Sequence, residues 1–142
     1  MPRAADVPTL SISPESVCYL IIKARAFDAK DAVTDPDPGS DGPDDGMRAV
    51  LEDHADDPVL QELASAIAVL NEDQQIDLVT LAWLGRGDGD VGNWDELREE
   101  ATRAHNRRTA QYLLGMPLLG DYLEEGLSQL GHSCEDVEMN RL

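Results

Sequence analysis

The run NEDQQIDLVTLAWLG, from Asn71 to Gly85, constrains the fold more than any other stretch of the chain. Asn71 followed by Gln74 is a capping-box pattern, in which each side chain accepts a hydrogen bond from the other residue's amide. Beyond it, Ile76, Val79 and Trp83 form one stripe at helical spacing, and Leu78, Leu81 and Leu84 broaden it. A helix with one face in water keeps only a stripe of roughly 100° apolar. A helix apolar round most of its circumference must be enclosed by other elements. The chain is therefore read as all-α, a compact helical bundle of about five main helices built around this one.

The other helices follow from local signals. Two Trp, three Tyr and one Phe among 142 residues leave the core to Leu, Ile, Val and Ala, a composition that suits helices better than sheets. Ser13 reads as an N-cap with Pro14 at the first helical position, and Val17, Leu20, Ile21, Ala24 and Phe27 give the buried face. Met47–Ala55 reads as a short helix. Asp57 and Pro58 open another, with Leu60, Leu63, Ile67 and Leu70 along its seam. Asn93 to Gly115 reads as one helix ended by a C′ glycine, with Leu97, Ala101 and Ala104 buried and Glu99 paired to Arg103. Met116-Pro117 begins the last helix, whose core face is Leu119, Leu123, Leu127 and Leu130, with Tyr122 beside it. Gly126 in its interior costs about 1 kcal/mol against Ala, which points to a close helix contact. Gly131 ends it. The organisation is a flexible leader (1–10), a single helical domain (11–131) with a disordered acidic loop (31–46), and a polar tail (132–142).

The net charge of -18 argues against binding a phosphate backbone and against docking on an anionic membrane, so neither nucleic acid nor membrane is expected as a partner. Acidity is concentrated from Asp31 to Asp57, with ten acids and one base. Within it Asp35, Asp37, Asp41, Asp44 and Asp45 lack the spacing that fixes a cation. His54, His105 and His132 are scattered, and no C-x-x-C or H-E-x-x-H pattern occurs, so no obligatory metal or other cofactor is expected. Cys18 falls in an apolar helical run and Cys134 in the polar tail. The opening MPRAADVPTL lacks an apolar signal core, and no apolar run is long enough to span a bilayer. These features together read as a cytoplasmic protein with free thiols.

The stretch WLGRGDGDVGNWDELREEA, Trp83 to Ala101, admits two readings. Counted from Asp88, an EF-hand register offers Asp88, Asp90, Gly92, the Trp94 carbonyl, Glu96 and Glu99 as calcium positions. Position six is Asn93 where that loop needs Gly, and position eight is Asp95 where it needs an apolar residue. Alternatively Asn93 and Glu96 form a capping box that starts a helix at Trp94 and turns Trp94 and Glu96 away from any shared cation. The second reading makes the stretch a glycine hinge between helices, with Arg86, Asp88 and Trp94 exposed on it. Arg103, Arg107 and Arg108 add a basic island, with Arg103 and Arg107 one turn apart on a helix. No nucleophile beside a base and no G-x-S-x-G elbow is present, so no catalytic residue is assigned and the chain is not read as an enzyme.

The runs LNEDQQIDLVTLAWLGRGD, W-x-E-L and TAQYLLGMPLLGDYLEEGLSQLG together resemble a bacterial family known as domain of unknown function 3775. The likeness covers Glu62 to Gly131, and its signature positions are Trp83, Gly85, Arg86, Gly87, Asp88, Tyr112, Leu113, Gly115, Pro117, Leu119 and Leu123. The resemblance implies a small helical cytoplasmic bacterial protein and carries no activity or catalytic residues. The functional expectation is a noncatalytic interaction or regulatory module that meets a protein partner, or a second copy of itself, through Arg86, Asp88 and Trp94. A calcium-responsive protein using Asp88, Asp90, Glu96 and Glu99 is the alternative, and an enzyme with an unrecognised site ranks last.

Overall fold

The computed structural model describes residues 8–34 and 57–134, with the side chains of all but 28–34. Among the described residues there are six α-helices and no strand: α1 (Pro14–Thr34), α2 (Pro58–Ala68), α3 (Glu72–Arg86), α4 (Trp94–Ala104), α5 (Thr109–Leu114) and α6 (Leu119–Gln129). The leader up to residue 7, the short helix expected at Met47–Ala55, the acidic loop from residue 35 and the tail beyond Cys134 lie outside the described residues. Helix α1 runs on through DAVT to Thr34, four residues past the expected boundary, because no Gly or Pro interrupts it.

The caps read from the sequence hold α1, α2 and α3. Ser13 Oγ accepts from the Ser16 amide at 3.1 Å. The Asp57 carboxylate accepts from the Val59 and Leu60 amides ahead of Pro58. Asn71 and Gln74 exchange both capping-box bonds, at 2.8 and 2.9 Å.

As its pattern requires, α3 is the enclosed helix. Ile76, Leu78, Val79, Leu81, Ala82 and Leu84 are all buried, and α3 packs against α4, α5 and α6. Helix α6 is wedged between α3 and α1, and α2 covers α1 and touches α5.

Two glycines make the α3–α6 approach. A Cβ on Gly126 would run into the Leu81 carbonyl, and one on Gly85 would overlap the Tyr122 carbonyl. The contact inferred from Gly126 is therefore real, and Gly85 answers it from the facing helix. At the end of α6, Gly131 takes φ +88° and lets the His132 amide reach back to the Leu127 carbonyl at 2.9 Å.

Three expectations are corrected. Asn93–Gly115 is not one helix: α4 stops at Ala104, His105 is extended, and α5 starts at Thr109. The Asn106 side chain accepts from the Arg108 amide at 2.7 Å, and Thr109 Oγ1 closes on the Asn106 backbone, so local polar bonds replace a helical turn. The break also leaves Ala104 exposed, and it gives Gly115 an ordinary right-handed conformation rather than a C′ turn.

The second correction concerns Trp94. It is 4% exposed, because a helix starting there places Trp94, Leu97 and Ala101 on one buried face.

The third concerns the thiols. Cys18 and Cys134 form a disulfide, with Cα atoms 5.6 Å apart across 116 residues of sequence. Cys18 is buried as expected, but the turn at Gly131 carries Cys134 back over α1, so neither sulfur is free. Among the described residues no helix is long and apolar enough to cross a membrane.

Candidate functional site: a cleft beside Trp83 and Tyr112

The break between α4 and α5 opens a cleft of about 230 Å³ against α3. Val79, Ala101 and Ala104 supply its apolar surface, Trp83 and Tyr112 form an aromatic wall, and His105, Asn106, Arg108 and Thr109 edge it. The wall is fixed, since Trp83 Nε1 donates to the Tyr112 hydroxyl oxygen at 2.8 Å. Both rings are half-buried, each with a polar tip engaged and an apolar face available.

The polar groups at the cleft's edge hold its walls in place. His105 Nε2 lies 2.8 Å from Gln75 Oε1, and Gln75 Nε2 donates to the Ile67 carbonyl at 2.9 Å. With the Gln75 oxygen turned toward it, the histidine nitrogen is the donor. One glutamine thereby ties the end of α2, the start of α3 and the end of α4 together. Thr109 is buried, with its hydroxyl within the Asn106 turn.

The residues expected to form an interaction surface separate into two groups. Arg86 ends α3 and Gly87 follows in the left-handed conformation (φ +99°), so the Arg86 side chain meets Asp88, Nη2 to Oδ2 at 2.6 Å. The Asp88 bond holds the guanidinium above its ordinary pKa, burial opposes it, and the neighbouring Tyr112 phenol adds to it. Arg86 and Asp88 are paired with each other outside the lining of the cleft. Arg108 is exposed at the cleft edge and Arg107 is exposed beside it.

Trp94 lies in the core and Arg103 points elsewhere, 3.6 Å from Glu99 across one exposed turn as the sequence suggested. Because the helix ends at Ala104, Arg103 and Arg107 do not share a helical face. Trp83 reads as core from its helical stripe and is also a signature position, and it lies half-buried in the cleft wall. Its place at the end of the α3 stripe, one turn before the glycine hinge, was the available signal.

The glycine stretch is a helix joint with its own bonds. Asp90 Oδ1 accepts from the Asn93 amide at 3.2 Å, and the Asn93 side chain accepts from the Asp90 amide at 2.7 Å. This box encloses a single 3-10 turn, Val91–Asn93, ahead of α4. The helix starts at Trp94 as expected, but the cap is Asp90 with Asn93 rather than Asn93 with Glu96. Asp88 is engaged by Arg86 and Asp90 by Asn93, while Glu96 and Glu99 are exposed along α4. Among the described residues no group of three or more His, Cys, Asp or Glu is placed to hold a metal ion.

One polar cluster lies apart from the cleft and was not anticipated. Asp77 on α3 is 1% exposed, accepts from Arg98 Nε at 2.7 Å and from the Ser11 amide at 2.5 Å. Arg98 also reaches Asp73 at 3.5 Å. Asp77 thereby anchors both α4 and the segment ahead of α1.

Neither a curated protein nor a solved structure matches the chain. The family model described as Protein of unknown function (DUF3775) matches residues 60–132, which include the whole cleft and just over half of the sequence, and the chain belongs to that family.

Proposed function

We propose that this protein is a noncatalytic helical interaction module, regulatory in kind, that seats a protein partner in the Trp83–Tyr112 cleft. The observation that carries this reading is the fixed aromatic pair, half-buried over an apolar floor, with Arg108 beside it. Trp, Tyr and Arg are the side chains that most often dominate binding energy at interfaces. A wall already held by its own hydrogen bond loses little conformational freedom on binding, which favours affinity. Of the residues expected on the interaction surface the site keeps Arg108; Arg86 and Asp88 lie outside its lining, and Trp83 and Tyr112 take the place of Trp94.

The employment of the polar groups supports binding over catalysis. His105, Asn106, Thr109 and Tyr112 each hold a neighbouring element in position. The carboxylates of the glycine loop are engaged within it, so no observation favours the calcium reading as a second proposal. A cytoplasmic setting belongs to the proposal only with Cys18 and Cys134 reduced, because that compartment keeps thiols unpaired. Alkylation of the thiols at cell lysis reads which form is present.

The cleft reading is tested by plugging it. Ala104 is exposed at the rim, so Ala104→Trp fills the space without disturbing the core. Partners captured by the wild-type chain should be lost from Ala104→Trp of equal helicity and thermal stability. Equal capture by both chains would remove the cleft from the account. A second copy of the chain is one admissible partner, and light scattering of the same two proteins reads that case.

A further inference from the structure

We infer that the occupant of the cleft is an acidic peptide segment of a partner protein, with one large apolar side chain seated against Trp83 and Tyr112 and a carboxylate beside it meeting Arg108. This rests on the reading of the cleft as a partner-binding site. Size comes first. Small-molecule sites usually span roughly 300–1,000 Å³, and this cleft, at about 230 Å³, is the size of a single side chain. Its surface is mainly apolar, so an aliphatic or aromatic anchor gains by entering it.

Charge then selects the flanks. The chain carries 29 acids, yet no Asp or Glu lines this cleft, and its one charged lining residue is Arg108. Among the described residues Arg25, Arg86, Arg98 and Arg103 are each ion-paired within the chain. Arg107 and Arg108, adjacent and exposed, have no carboxylate partner there. A guanidinium at the mouth of an apolar recess is a natural receptor for a carboxylate, which it can meet with two parallel N–H bonds. The overall charge of -18 opposes an acidic ligand at long range. At physiological salt, charges beyond about 8 Å are largely screened, so the rim decides the sign.

The test uses the full chain and a phage-displayed library of random peptides, selected on the immobilised wild type. Recovered peptides should share one Leu or aromatic anchor with Asp or Glu near it. Their binding should be lost with Ala104→Trp, fall about tenfold or more with Arg108→Glu, and be retained with Val69→Ser, at an exposed position away from the cleft. Circular dichroism confirms that each variant is folded. Peptides that need an open cleft but are neutral or basic, or that ignore Arg108→Glu, would overturn the acidic assignment and leave the cleft reading standing. A selection yielding no peptide sensitive to Ala104→Trp would overturn both.

Discussion

Asp77 shows how one side chain can fix several elements. Its carboxylate is almost wholly buried, and Arg98, its charged partner, keeps 31% of its side-chain surface in water. The asymmetry predicts unequal losses. Arg98→Met leaves a buried carboxylate with only the Ser11 amide, and should cost about 3 kcal/mol, the low end for breaking a buried pair because Arg98 is itself part-exposed. Asp77→Asn can still accept from Ser11 while Arg98 turns to solvent or Asp73, and should cost about 1–2 kcal/mol. Urea unfolding of the two variants gives the order. A larger loss for Asp77→Asn would contradict the unpaired buried carboxylate as the dominant cost. The Asp77 pair was invisible in the sequence. An aspartate inside an apolar helix gives no local sign of which residue, 21 positions later, will neutralise it.

At the scale of elements, the contact between α3 and α6 depends on backbone approaching backbone. Gly→Ala in an isolated helix stabilises it by about 1 kcal/mol. Gly85→Ala and Gly126→Ala should instead destabilise the protein, by about 2–3 kcal/mol, because the new methyl meets a main-chain carbonyl rather than a movable side chain. Gly120→Ala should cost less than either, about 1 kcal/mol, since its Cβ would meet Arg25 Cγ at 2.9 Å and the Ile21 carbonyl at 3.2 Å, milder overlaps than those at Gly85 and Gly126. Thermal melts of the three variants check the set, and a stabilising Gly85→Ala would refute the packing.

Most of the helix signals were legible because they are local. Ser13-Pro14, Asp57-Pro58 and Asn71 with Gln74 state where helices begin, and Gly126 announced a close contact. The stop at Ala104 was not legible. The helical spacing continues past it, and the decision falls to the Asn106 turn and to Gln75, thirty residues earlier in sequence, which receives His105. The cleft exists because of that stop, so the candidate site was less readable than the fold. Arg108 reads from the sequence as part of a basic island, and Trp83 and Tyr112 are among the signature positions, but nothing in the sequence brings the three to one cleft.

In the whole molecule, the Cys18–Cys134 bridge joins the first helix to the segment after the last. Two cysteines in unlike contexts do not reveal such a pairing in sequence, because it depends on α6 lying against α1. A bridge closing more than a hundred residues restricts the unfolded chain strongly. Reduction, or Cys134→Ser, should lower stability by about 4 kcal/mol, read as a fall in melting temperature on adding a dithiol. No change would mean that the two sulfurs are unpaired in solution.

A second exposed apolar area, at Tyr19, Ile22 and Val69 on α1 and α2, competes with the cleft as a docking surface. Val69 there is 81% exposed, but Glu15 and Glu62 border the area and it lacks a fixed aromatic pair. The two surfaces are distinguished by site-specific photo-cross-linking in the cells from which the protein comes. With p-benzoylphenylalanine replacing one residue at a time, adducts should form from the positions of Arg107 and Gln111, exposed next to the cleft's Arg108 and Tyr112, and not from that of Val69. Adducts from Val69 alone, or from none of the three, would contradict the assignment of the cleft as the binding surface.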